Sequence, residues 1–182
     1  MLPAAGGLHN RNLLLLNIGG PPPSVAVLSM PAGTNLQTVE RPGIPLFQAH
    51  YSADGRWALI MRGFNTGMSF APVRDGRLAP ESEWKPGVAG ETDMYRWSPD
   101  AGLVYFISNR DGFPCIWAQR LNPATKDLIG SPFAVFHAHG ASRSMRGFVD
   151  PSAIGLGVAR DRIVFPQAER LGNIWTGKLE LH

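Results

Sequence analysis

An all-β chain built as a propeller-type repeat of about four blades is what this sequence predicts. Three observations predict it. A unit of polar turn, hydrophobic strand, second turn and second hydrophobic strand occurs four times along the 182 residues. The units recur at blade-like intervals, with 45 residues from Arg11 to Arg56 and 46 from Asp54 to Asp100. Gly (21) and Pro (16) are abundant and no stretch keeps a helical period, which suits short strands joined by turns. Each small twisted sheet of such a repeat buries its faces only against its neighbours, so one blade alone would not fold.

The first unit, near 8–33, is the least regular, with strands expected at 12–18 and 24–30 before the turn Pro31-Ala32-Gly33. The second, near 34–78, opens on Tyr51-Ser52-Ala53-Asp54-Gly55-Arg56-Trp57 and places strands at 46–52, 57–62 and 67–73, the last ending in the turn Arg74-Asp75-Gly76. The third, near 79–127, is the clearest: Trp97-Ser98-Pro99-Asp100 leads into strands at 93–98, 103–108 and 115–121. The fourth, near 128–182, holds strands at 132–137, 154–159, 162–166 and 173–180, and its Ile174-Trp175 repeats Ile116-Trp117. Segments such as 35–39 and 131–136 suit the outer edge strand of a blade. Asp-Gly supplies the positive φ of a tight hairpin, Pro presets φ at the first turn position, and Ser or Asp side chains bond nearby amides. Trp57, Trp97, Trp117 and Trp175 fall inside the repeats, where packing between blades is their expected role.

All four units belong to one domain spanning 1–182. Four middle hairpins meet only three complete pairs of edge and inner strands, so the chain is expected to form an incomplete ring. Open edges of that kind favour self-association or pairing with another chain.

A net charge of +3 comes from scattered Arg and Lys rather than from a basic stripe, so nucleic-acid binding is not expected. The apolar run near residue 13 is too short for a membrane span and reads as a strand, not a signal peptide. The single cysteine, Cys115, excludes an internal disulfide and reads as a buried core thiol. The recurring Asp54, Asp75, Asp100, Asp111 and Asp161 read as turn residues, and no Gly-x-Ser-x-Gly elbow exposes Ser52, Ser98 or Ser108 as a nucleophile. Phosphate loops and dinucleotide fingerprints are missing, so no catalytic residue and no cofactor is expected.

The last interval is longer, 61 residues from Asp100 to Asp161, and contains His137-Ala138-His139 and Ser142-Arg143-Ser144-Met145-Arg146. Two imidazoles at i, i+2 share a strand face, but with no identifiable third ligand a metal is not expected. His137, His139, Arg143 and Arg146 instead outline an interaction loop, whose guanidinium forks suit an acidic partner. Trp84, in the polar connection Glu81-Ser82-Glu83-Trp84-Lys85-Pro86, joins that set either as an exposed contact residue or as an anchor for its own loop.

The phrases Trp97-Ser98-Pro99-Asp100, Ser108-Asn109-Arg110-Asp111-Gly112 and Ile116-Trp117 resemble the TolB-type, WD-repeat-like β-propeller motif. The stretch from 96 to 136 is similar to the C-terminal propeller segments that some bacterial sensor or regulatory proteins carry. Ala101 departs from it where the motif has Gly, and Ala159-Arg160 replaces Ser-Pro. The resemblance implies a non-catalytic module for protein, peptide or ligand interaction within a larger sensory or envelope protein, with no catalytic residues to transfer. The alternative it leaves open is a propeller associated with a serine peptidase or another hydrolase. A periplasmic location follows from the resemblance; the sequence itself leaves the cytoplasm equally open.

Overall fold

A computed structural model describes residues 12–17, 24–29, 34–40, 46–62, 67–90, 92–139, 143–145 and 155–169. The expected strand at 173–180 with Trp175, and Arg146, lie outside these residues. Three antiparallel sheets follow one another along the chain. The first is β1 (Asn12–Asn17), β2 (Ser24–Ser29) and β3 (Thr34–Glu40) in that order. The second orders β4 (Leu46–Tyr51), β5 (Trp57–Arg62) and β6 (Met68–Arg74), with β7 (Arg77–Leu78) and β8 (Lys85–Pro86) both on β6. The third is a four-strand meander of β9 (Thr92–Trp97), β10 (Leu103–Ser108), β11 (Cys115–Leu121) and β12 (Leu128–Phe136). Beyond it the described residues hold four two-residue strands: β13 (Arg143–Ser144) pairs β16 (Ala168–Glu169), and β14 (Gly157–Val158) pairs β15 (Ile163–Val164). No α-helix occurs among the described residues.

The outcome follows the sequence reading closely through the third sheet. In the fourth unit the described parts of the predicted strands 154–159 and 162–166 hold only the two-residue β14 and β15, where Ala159-Arg160-Asp161-Arg162 closes a hairpin with a bond from the Ala159 amide to the Arg162 carbonyl (2.9 Å). The second sheet also differs, because its outer strand is split into β7 and β8 by a 3-10 turn at Glu81–Glu83. Arg74-Asp75-Gly76-Arg77 makes the expected tight hairpin, with positive φ at both Asp75 (50°) and Gly76 (74°).

Alternating side chains along a strand go to opposite faces, and in the central strands of the second and third sheets both faces are buried. Leu59, Met61, Met68 and Phe70 of the second sheet meet Tyr95, Trp97, Val104 and Phe106 of the third in one core. Their neighbours Ala58, Ile60 and Ala71 face the other way, onto Val25 and Val27 of the first sheet. On the far face of the third sheet, Ile107 and Ile116 pack against Met145 and Leu156. Trp57 and Trp117 border the core between the second and third sheets, and the Phe70 and Trp97 rings stand 5.4 Å apart, so these tryptophans pack between sheets as expected.

One turn is built twice. In Ser52-Ala53-Asp54-Gly55 and Ser98-Pro99-Asp100-Ala101 the serine hydroxyl donates to the aspartate (2.6 and 2.5 Å) and accepts the Trp57 or Leu103 amide (3.1 and 2.8 Å). Each aspartate in turn accepts the amide two residues on, Arg56 at 3.1 Å and Gly102 at 3.0 Å. The fourth turn residue has positive φ in both copies, 66° at Gly55 and 55° at Ala101, so the alanine adopts the glycine conformation. Its Cβ is retained in the core between sheets, where Ala101 is buried. Under that turn the buried Lys126 donates to the Ala101 carbonyl (2.8 Å) and sits over the Trp97 ring at 5.5 Å. Burial pushes this ammonium below its usual pKa.

Polar groups also cross between sheets. The Gln37 amide of β3 grips the backbone of one residue of β7 from both sides, accepting the Leu78 amide (2.8 Å) and donating to the Leu78 carbonyl (3.0 Å). The Trp97 indole donates to the His50 carbonyl (3.1 Å), and Arg96 Nη1 lies 3.0 Å from His50 Nε2. A guanidinium can only donate, so Nε2 accepts and the imidazole is neutral. Burial, with the Arg96 charge adding, pulls the His50 pKa down from 6.5 to about 3.

Two outcomes are expected. The unfolded chain binds a proton at His50 between pH 6.5 and about 3 that the folded chain refuses, so stability falls as pH drops below 6.5. The slope from this residue is at most about 1.4 kcal/mol per pH unit, and His50→Gln should flatten it in urea titrations at pH 4 to 7. Ser98→Ala removes the hydroxyl that both accepts and donates inside its turn, and should lower the unfolding free energy by about 1–2 kcal/mol in the same assay.

Candidate functional site

One end of the third sheet gathers most of the singled-out chemistry. The β10–β11 hairpin closes through Asn109-Arg110-Asp111-Gly112, with the Gly112 amide on the Asn109 carbonyl (2.7 Å) and a φ of 91° at Gly112. Asp111 Oδ1 accepts the Phe113 amide (3.4 Å), the turn role expected of it. Its other oxygen faces the end of β12.

Strand register decides what meets there. Ile116 pairs with Phe136, so one step further out Cys115 comes opposite His137. His137 and His139 continue the strand line past β12, which brings both imidazoles over the hairpin. His137 Nδ1 lies 3.1 Å from Asp111 Oδ2, His139 Nε2 lies 2.9 Å from the same oxygen, and the two nitrogens are 3.2 Å apart. Cys115 Sγ, fully buried beneath them, accepts the Ala138 amide at 3.3 Å and completes a group of four whose ligand-type atoms all lie within 4.8 Å of one another. The imidazoles are about half exposed, and the carboxylate is 22% exposed.

Burial pushes the Asp111 carboxyl up, but hydrogen bonds from His139, the Phe113 amide and the Cys115 thiol outweigh it and hold the group below the usual carboxylate range. Burial pushes the Cys115 thiol up against the pull of the Ala138 amide, and the Asp111 charge adds to the rise. A mixed set of two imidazoles, one carboxylate and one thiol can share protons in a network or ligate a borderline-soft cation.

The sequence reading found the histidine pair and missed its companions. Asp111 and Cys115 supply the further ligand-type atoms that the i, i+2 spacing alone did not disclose. The available signal was the strand pairing: a Cys that opens one strand faces the residue that follows its antiparallel partner, and the hairpin ahead of it carries an Asp.

The remaining members of the predicted interaction set separate. Trp84 is an anchor rather than an exposed contact: its indole donates to the Ala79 carbonyl (2.8 Å) and its ring packs on the core between the first and second sheets. Arg143 sits in β13, paired with Glu169 on the sheet ladder. Arg146 lies outside the described residues.

Beside the Asp–Cys–His group, Arg110 stacks over Phe106 and Trp117, 5.0 Å from each ring, and donates through Nε to Ser108 Oγ (3.2 Å). With Ala89, Gly90, Ser108 and Asn109 it lines a shallow depression of about 310 Å³. Phe113 is 43% exposed on the same hairpin, its ring 4.8 Å from that of His139.

No protein-family model and no curated protein matches the chain. Solved structures do. A putative 6-phosphogluconolactonase from Bacteroides uniformis superposes with a TM-score of 0.52 at 13% identity, over 93% of this chain and 50% of that one. TolB from Acinetobacter baumannii matches at a TM-score of 0.48 and 16% identity, over 70% of this chain and 31% of that one. The chain has a propeller-type β fold. It spans half or less of the length of these two structures, and at such identities the likeness speaks to the fold alone. Among the described residues no helix is long and apolar enough to cross a membrane.

Trp84→Phe keeps the ring and deletes the indole donor, leaving the Ala79 carbonyl without it. The expected cost is about 1 kcal/mol in chemical denaturation; an unchanged midpoint would show that the hydrogen bond does not anchor the loop.

Proposed function

We propose that this chain is a non-catalytic propeller module that presents a recognition surface to a protein or peptide segment, at the hairpin end of the third sheet. The observation that carries the reading is the presence on one hairpin of exposed Phe113 and the stacked guanidinium of Arg110. Aromatic and arginine side chains dominate binding energy at protein interfaces, above all where their geometry is fixed before the partner arrives. Arg110 is fixed by two rings and a serine, so little side-chain freedom remains to be lost on binding. The depression beside it is of a size to receive one acidic side chain, and a guanidinium fork is suited to a carboxylate.

The serines weighed as nucleophiles are occupied elsewhere. Ser52 and Ser98 are buried inside their turns, and Ser108 accepts from Arg110. That arrangement supports recognition over hydrolysis at these positions.

Panning a random extended-peptide library against the immobilised chain tests the reading. Selected peptides should carry an acidic residue near an apolar one. Phe113→Ala should weaken their binding at least tenfold, and Arg110→Gln should do so while flattening the salt dependence. Peptides that bind both variants as well as the original chain, or a failure to select any, would remove the reading.

A further inference from the structure

We infer that Asp111, Cys115, His137 and His139 form a binding site for one zinc-like divalent transition-metal ion, which ties the β10–β11 hairpin to the end of β12. The inference stands apart from the recognition surface proposed above, since it needs no partner.

Geometry comes first. A tetrahedral ion with ligand bonds of roughly 2.0–2.3 Å has ligand-to-ligand edges of about 3.3–3.6 Å. The three atoms His137 Nδ1, His139 Nε2 and Asp111 Oδ2 form a triangle with edges of 2.9 to 3.2 Å, close to one face of that tetrahedron. Cys115 Sγ lies beneath, within 4.8 Å of all three, so about 1 Å of closure completes the fourth position. The imidazoles come from residues just past the end of a strand and the carboxylate from a hairpin turn, which are positions able to adjust by that amount.

Chemistry points the same way. Three atoms bearing lone pairs converge on one point, and only shared protons or a cation can make that favourable. The donor set mixes nitrogen, oxygen and sulfur, which suits a borderline-soft ion such as Zn²⁺ better than Ca²⁺ or Mg²⁺. Binding would release the thiol proton to solvent and leave a thiolate, whose charge the Ala138 amide already faces at 3.3 Å. With the Asp111 carboxylate it would balance both charges of the ion. The site is buried on the Cys115 side and open on the imidazole side, which gives the ion an entry path.

Zinc alone and cobalt alone are the probes, added to the full chain kept reduced with a non-chelating phosphine. Calorimetry should show about one Zn²⁺ per chain, and saturating Zn²⁺ should raise the melting temperature by about 5 °C or more. Co²⁺ should give the visible bands of a tetrahedral ion together with a near-ultraviolet sulfur-to-metal band, and Cys115→Ser should abolish the latter. His137→Gln with His139→Gln changes two half-exposed side chains and should weaken Zn²⁺ binding at least hundredfold with the circular dichroism spectrum unchanged. A cobalt spectrum with no sulfur band overturns the assignment. So does Zn²⁺ affinity that survives in the double variant, or no Zn²⁺ binding at all, which would leave the four residues as a proton-sharing network.

Discussion

The second and third sheets each bury both of their faces, and the packing between successive sheets is the constraint on which the rest depends. A three- or four-strand sheet has too little apolar surface to stand alone, but the Leu59–Phe70 face against the Tyr95–Phe106 face makes a continuous core with two aromatic pairs inside it. Because their opposite faces are committed as well, to the first sheet on one side and to Met145 and Leu156 on the other, neither of these two sheets can slide by one residue without inverting both interfaces at once. The strands are thereby held in a register that no single hairpin turn could enforce.

That fixed register is also what assembles the chemistry. His137 and His139 are separated from Asp111 by more than twenty residues, and nothing local draws them together. The pairing of Ile116 with Phe136 does so, by bringing the end of β12 level with the start of β11 and the hairpin above it. The stacking of Arg110 on Phe106 and Trp117 has the same origin, since those rings lie directly opposite each other on neighbouring strands. Sheet geometry, not loop design, places the candidate site.

Much of the fold was legible because its signals are local. Ser-x-Asp turns, Asp75-Gly76 and the alternating strands carry their conformations in a few adjacent residues, so the first three sheets could be read from the chain. Ala101 was a visible departure, and its positive φ shows the turn bonds of Ser98 and Asp100 overriding an alanine's preference. What could not be read depends on distant partners. Lys126 is a lysine in a polar turn by sequence, and only the position of the Trp97 ring and the Ala101 carbonyl makes it a buried one. Trp84 looked equally fit for solvent or for its loop until the Ala79 carbonyl was in place, and the partners of the histidine pair required knowledge of which strand lies beside which.

Gln37 binds Leu78 through the peptide group on either side of the α-carbon and ignores the side chain. Recognition of that sort is indifferent to identity at one end and exacting at the other. Position 78 can change among residues that fill the same buried space without disturbing the link, whereas at position 37 only a side chain with both a donor and an acceptor at that reach maintains it. This hydrogen-bonded link between the first two sheets is therefore one-sided in its tolerance of mutation, with its polar specificity held on β3.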